Sequence, residues 1–537
     1  MKKESIAALL SLSAAFLMLT GCGNAVTEEK ATTAVQADQS AADSKASESG
    51  EEKSASADSR SFTYAIKGDT GNTINVLTVD DRYGLMTMKA LYAPLYYIHP
   101  DGNVDYILAK SMTASEDGKT WTLVLNDGLK WSDGEPITAD DVFYTIDSHN
   151  KQDQNLFING KAIEMNQIDE HTLSFTTEVP SSSVFELLSA ETFILPKHYY
   201  EKKGNFDVNL LEEKPVCSGP YTLDSYMTGQ YLKFKANENS VLGKPQIETL
   251  IYKIVESDDT ATLALQNGEI DAWSALPDLL KPYKDNPAFK IYTYSEGRVA
   301  YMRLNTASKK MQDKSYREGI LHAVDRNEIL QAAYSDPEFY SVSYSFLPNV
   351  SAYYNPDVEK FDHDVELAKK LTANGAKQLK IAYINTDEVE RQALTIQSEL
   401  KEAGIDLELN PLDGAALTKV EKDKQNGDYD ILLGGYIMGI DPSTFSQLFS
   451  KDKDNNYNFD APEIDKLWRE ADMERDEAKR KELYNTIQQK IQEEAIFYPF
   501  GSNLKILVAN QKVHGIEEAG LVPIYTFNDL SKLSIAS

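Results

Sequence analysis

Residues 379–409 read LKIAYINTDEVERQALTIQSELKEAGIDLEL, and the order of patterns in this stretch decides the fold. Leu379 to Ile384 is a short apolar run of strand character, and Ala393, Ile396 and Leu400 then recur at helical spacing on one face. Gly404 stops the helix, and Ile405, Leu407 and Leu409 alternate with polar residues as a half-buried strand does. Two strands joined through a helix must run parallel, with a right-handed crossover. A second such unit lies upstream. There Thr249 to Val255 is β-branched and apolar, Ser257 or Asp258 can cap a helix through Gln266, Gly268 can stop it, and Glu269 to Trp273 reads as the next strand. Downstream, a helix from about Asp413 to Gln425 leads into Tyr429 to Leu433. The last two helices follow: Asp460 and Glu463 form a capping-box pattern before Ile464 and Trp468, and Asp476 precedes Leu483, Ile487 and Ile491. The fold class is α/β.

In open α/β sheets, ligands sit beyond the carboxyl ends of the strands. Those ends carry Trp273 in the first unit and Gly434, Gly435 and Tyr436 in the second. Two α/β lobes facing one cleft account for both. Glu296 to Thr306 reads as an extended strand crossing between lobes, and Glu494 to Phe500 as the return. From about Tyr92 to Asn209 the rhythm changes to short strands punctuated by Asp101-Gly102, Asp127-Gly128 and Asp133-Gly134, which suits an inserted α+β subdomain.

At 537 residues, with 42% hydrophobic and 26% charged, the chain exceeds one core and is too apolar to be disordered. The formal net charge of -30 repels phosphates, which argues against nucleic acid and anionic membrane surfaces as partners. The start has the plan of an export signal: Lys2 and Lys3, an apolar run from Ile6 to Leu19 too short to span a bilayer, then Leu19-Thr20-Gly21-Cys22. From Gly23 to Ser61 no aromatic residue occurs and Ala, Ser, Thr, Glu and Asp dominate, as in a flexible tether. Roughly 40 such residues reach about 30 to 40 Å.

Chemistry of other kinds finds no support. The histidines at 99, 149, 171, 198, 322, 363 and 514 have no metal-ligand spacing, and only Cys22 and Cys217 supply thiols, so neither a metal site nor a disulfide framework is expected. Asp117-Gly118-Lys119-Thr120 ends like a phosphate loop, but Thr113 stands where its first glycine belongs. No nucleophile elbow occurs, and Ser218-Gly219-Pro220 places proline where its helix would start. No cofactor and no catalysis are expected, and a surface hydrolase is the remote alternative.

Three stretches then match a family in order and at its spacing. Residues 121–147, WTLVLNDGLKWSDGEPITADDVFYTID, residues 215–221, PVCSGPY, and residues 316–330, YREGILHAVDRNEIL, precede the strand opened by Asp428-Tyr429-Asp430. From Phe62 onward the chain resembles family 5 of the bacterial extracellular solute-binding proteins, the peptide-binding components of ABC importers. The resemblance implies a two-lobed periplasmic-binding-protein type II fold. It implies a peptide-like ligand, permease subunits with a separate ATPase as partners, and a monomeric receptor. The small residues before Cys22 resemble a lipobox, which implies a lipid on Cys22, an anchor at the outer face of the cell membrane and cleavage after residue 21. Expected boundaries are 1–21 signal, 22–61 linker, 62–91 with 210–295 and 497–537 the first lobe, 92–209 the insertion, and 296–496 the second lobe.

The site is where the sequence departs from that family. Its dipeptide and oligopeptide binders carry Gly-Trp, two residues, then an Asp four places before a proline to pair with the peptide amine. Here Gly434 to Pro442 reads GGYIMGIDP, which puts Met438 at the acidic position and Gly435, or with a one-residue shift Tyr436, at the tryptophan. Met438 is read as core packing or as part of an apolar side-chain pocket. Asp441 is read either as a substitute anchor or as the cap of the helix from Ser443. The expected cleft residues are Trp273, Tyr436, Met438 and Asp441, with Arg298 and Tyr301 on the crossing segment as weaker choices. The missing anchor keeps metal chelates, oligosaccharides and a surface-receptor role open beside oligopeptides.

Overall fold

The computed structural model describes residues 60–536 except 71–73, 78, 80, 153–156, 159–160, 190–191, 204–208, 212, 424–425, 438 and 452–460. The expected signal, Cys22, nearly all of the tether and Met438 lie outside the described residues. Twelve strands form the main sheet: β1 (Ser61–Ile66), β2 (Tyr221–Met227), β3 (Tyr231–Ala236), β4 (Thr249–Ile254), β5 (Ala272–Ala275), β6 (Phe289–Ser295), β7 (Val299–Leu304), β8 (Tyr340–Val342), β9 (Gln378–Ile384), β10 (Asp406–Leu412), β11 (Ile431–Tyr436) and β12 (Phe497–Asn510). Their order is β2-β3-β4-β1-β5-β12-β7-β11-β9-β10, with β6 and β8 also on β12.

The helices that matter to the site are α1 (Arg82–Leu91), α2 (Ala139–Gln152), α3 (Asp258–Gln266), α4 (Lys314–His322), α5 (Arg326–Tyr334), α6 (Asp387–Glu402), α7 (Gly414–Lys422), α8 (Pro462–Met473) and α9 (Glu477–Glu493). The unit expected at 379–409 is β9-α6-β10, with its strands paired in parallel from Gln378 with Asp406 to Ile384 with Leu412. Val389, Ala393, Ile396 and Leu400 are buried at spacings of three and four, with Val389, Ile396 and Leu400 each contributing about 1.5 to 3 kcal/mol by burial. The upstream unit is β4-α3-β5, with Ser257 Oγ accepting from Thr260 N at 3.2 Å. Its strands do not touch: both run parallel to β1, which lies between them. Helix α8 begins at Pro462 after Ala461, which gives no side-chain cap, and Asp460 lies outside the described residues. Asp476 caps α9 on Lys479 N as expected.

β12 belongs to both lobes. Its start pairs with β7, Arg303 opposite Phe497 and Ala300 opposite Gly501, and its end pairs with β6 from Leu504 to Asn510. The strand runs on without a break through the return expected at 497, and its pairing passes from β7 to β6 between Gly501 and Leu504. A side chain at Gly501 would bring its Cβ to 2.1 Å from Ser341 O on β8. The outward crossing is Glu296 to Arg298. Glu296 is 2% exposed and meets Arg82 at 2.6 Å and Lys505 at 3.4 Å, so a buried carboxylate ties α1 and β12 to the point where the chain changes lobe.

The 92–209 segment builds a four-stranded antiparallel sheet from Ala109–Ala114, Thr120–Leu125, Thr172–Thr176 and Glu164–Gln167. Gly102, Gly128 and Gly134 all take positive φ at the three Asp-Gly turns. The conspicuous motifs here are structural. Buried Asp141 accepts from Thr138 N, Lys197 N and Trp131 Nε1, and Ser218 Oγ accepts from Ala93 N at 2.9 Å. This segment shares one apolar core with the first lobe. In the second lobe, β7 separates two cores by alternation: Ala300, Met302 and Leu304 face α6, while Tyr301 faces Phe497 and the α8–α9 pair.

Candidate functional site

Parallel β1 and β5 bring their carboxyl ends to one edge of the first-lobe sheet, and α1 starts beside them. The second lobe presents the end of α5 and the start of α6 to the same space. Together they enclose a cavity of about 320 Å³, lined by Tyr64 to Lys67, Arg82, Tyr83 and Trp273 to Asp278 from one side and by Ala333 to Ser335, Asp387, Glu388 and Arg391 from the other. Asn503 to Lys505 of β12 complete the wall.

Both signs of charge face this cavity. Lys67 pairs with Asp258 and stands 5.9 Å from the Trp273 ring centre, and Arg82 is neutralised by Glu296. Glu388 accepts from Tyr334 Oη at 2.7 Å and meets Arg298 at 3.4 Å. Arg391 donates to the carbonyls of Ala332 and Ala333, satisfying the free C-terminal end of α5. Among the described residues, Asp278 and Asp387 make no ion pair. Burial pushes the Tyr64 phenol up to about 12 and the Tyr334 phenol up as well, so both are neutral hydrogen-bonding groups at ordinary pH.

Of the cleft residues expected from sequence, the geometry brings Trp273 to the cavity wall. The residue is 1% exposed and packs with Leu265, Tyr283 and Phe339. Arg298 sits just behind the wall through Glu388. Tyr301 and Tyr436 pack with Phe497, and Tyr436 Oη donates to Phe346 O at 2.6 Å. Asp441 caps the turn Pro442–Phe445 by accepting from Ser443 N at 2.8 Å, and its carboxylate is also held by Arg480 and Tyr484. Of its two readings, the geometry displays the cap. Met438 lies outside the described residues.

The paired glycines also acquire a different role. A Cβ on Gly434 would lie 2.4 Å from Tyr301 Oη, and one on Gly435 2.3 Å from Arg298 Nη2. They admit the chain's own side chains. Sequence reasoning missed Tyr334, Asp387, Glu388 and Arg391. The signal was present, since the rule that ligands sit beyond strand ends applies to β9 as well as to β11, and α6 starts directly beyond β9.

The family model described as "Bacterial extracellular solute-binding proteins, family 5 Middle" matches residues 103–457. The probable D,D-dipeptide-binding periplasmic protein DdpA of Escherichia coli strain K12 is 28% identical over 478 residues, covering 85% of this chain and 91% of its own. The structure of the ABC transporter substrate-binding protein CtaP of Listeria monocytogenes superposes with a TM-score of 0.83 at 33% identity, covering 89% of this chain and 99% of that one. A putative peptide-binding protein AppA of Clostridium difficile gives a TM-score of 0.82 at 29% identity, over 89% of this chain and 100% of that one.

Proposed function

Because the chain belongs to family 5 of the bacterial extracellular solute-binding proteins, which bind solutes for ABC importers and are not enzymes, we propose that it captures oligopeptides between its lobes and delivers them to a permease driven by a separate ATPase. The observation that carries this reading is the cavity walled by both lobes. A ligand there contacts both lobes only when they are closed, so it favours closure by its differential affinity. Arg391 and Lys67 beside Asp278 and Asp387 suit a ligand carrying both charges, as a peptide does. Peptide or dipeptide binding in the names of similar proteins supports the same class.

The protein acts as a monomer, anchored through a lipid on Cys22 with the acidic tether as spacer. Two acyl chains give a stable anchor where one does not. The mass of the detergent-extracted protein tests this: a mature chain beginning at Cys22 without added lipid mass contradicts it.

The ligand class is tested by thermal shift with fractions of a mixed peptide pool. A peptide at 100 times its Kd stabilises the protein by about 2.7 kcal/mol. Silence with peptides and a shift with nickel chelates or oligosaccharides would overturn the substrate. Trp273→Ala and Tyr334→Phe are expected to weaken peptide binding, the second with the fold kept and the hydrogen bond to Glu388 lost. Unchanged affinity in both removes the cavity as the site.

A further inference from the structure

The lobes meet a second time, at residues that do not line the cavity. Asp472 lies in the last turn of α8 in the second lobe, and Ser181 and Ser182 precede the short helix Ser183–Leu187 of the insertion, which Ser183 opens. One oxygen of the Asp472 carboxylate accepts from Ser183 Oγ at 2.7 Å, Ser183 N at 3.2 Å, Ser181 Oγ at 3.2 Å and Ser182 Oγ at 3.3 Å. The main chain joins in, with Ser182 N donating to Asp472 O at 3.1 Å. Ser183 Oγ and Ser443 Oγ are 3.0 Å apart, and Glu186 accepts from Ile440 N at 2.7 Å.

Two features set this contact apart from ordinary packing. A carboxylate in the last turn of a helix stands at the negative end of the helix dipole, where a cation is preferred. The acid at 472 is therefore unfavourable for α8 by itself, and among the described residues its carboxylate accepts hydrogen bonds from Ser181, Ser182 and Ser183 of the other lobe. The contact also consists of hydroxyls, amides and carboxylates, groups that water can satisfy when the surfaces part. Beside these groups, partly buried Ile440 packs on the core shared by the insertion and the first lobe, and it is the side chain that parting the surfaces exposes.

We propose that Ser181, Ser182, Ser183 and Asp472 form a latch that holds the lobes closed, so that these positioning residues set the fraction of closed protein without touching ligand. The proposal rests on the reading that the lobes open and close around the cavity. When closure precedes tight binding, a tenfold smaller closed fraction gives a tenfold weaker apparent affinity.

The test uses the full-length chain without ligand. Amide hydrogen exchange at Ser182, Ser183 and Ile440 is compared between wild type, Asp472→Ala and the triple variant Ser181→Ala, Ser182→Ala, Ser183→Ala, with small-angle scattering in parallel. Both variants are expected to exchange about tenfold faster at those amides and to show a larger radius of gyration. Amides of β9 should keep their protection, and Asp472→Glu should recover part of it. Unchanged exchange and radius in the folded variants overturn the latch. The triple variant keeps the test open should Asp472→Ala fail to fold. Because no ligand is present, failure of peptide binding leaves this result standing, and a failed latch leaves the ligand reading standing.

Discussion

Gly434 and Gly435 show how a residue pattern is legible while its purpose is not. Paired glycines at a strand end announce a close approach, and the approach is real, but the approaching atoms belong to Tyr301 and Arg298. Sequence alone carries no sign of which partner arrives from 130 residues away. Gly434→Ala is expected to cost about 1 to 3 kcal/mol by overpacking, because the Tyr301 ring is fixed among aromatic neighbours. Gly435→Ala is expected to cost less, since the far end of an arginine can swing aside. Thermal unfolding of both variants checks the order.

Glu399 of α6 illustrates the same scale. Burial first, and then the neighbouring carboxylates Glu328, Asp325 and Glu402, push its carboxyl from 4.5 up to about 8. A carboxyl raised on folding contributes stability that is complete below its unfolded value and is lost as the pH climbs through the folded one. The loss is on the order of 1 to 3 kcal/mol. Glu399→Gln is therefore expected to match wild type near pH 5 and to unfold at a clearly higher temperature near pH 9. Equal melting at both pH values would sink this assignment.

At the scale of elements, the parallel units and the changed texture of 92–209 could be read directly, because helical period, alternation and turn residues are local signals. What stayed hidden was tertiary: β1 inserting between β4 and β5, and the fourteen residues of β12 serving both lobes. Phe497 to Asn510 carries Pro499 and Gly501 just before its pairing passes from β7 to β6, and the need for Gly501 is set by Ser341 on another strand. Gly501→Ala is expected to force β8 away from β12 and to lower the melting temperature by several degrees, about 1 to 3 kcal/mol. Hydrogen exchange at Val342, the pairing partner of Gly501, reports the separation.

For the whole molecule, the distribution of cores matters more than the -30 net charge, which suits an exported receptor but identifies no ligand. The insertion shares one core with the first lobe, which packs a second around Trp273, and the second lobe has two of its own. Unfolding in urea is expected to show two cooperative steps, with the insertion melting together with the first lobe. Tryptophan fluorescence reports them separately: Trp121, Trp131 and Trp273 belong to the first body and Trp468 to the second. Coincident transitions for wild type and Trp468→Phe would mean one unit.

β12 also dictates when folding can finish. Its residues lie between β5 and β7 in the middle of the sheet order, yet they are among the last to be made. A chain emerging from its N-terminus has the outer strands of both lobes long before it has the strand that joins them, and the sheet is not complete until residue 510 has appeared. Such late, long-range pairing is slow. It keeps the newly made polypeptide open for most of its synthesis, the condition in which a chain can still be threaded through a narrow pore.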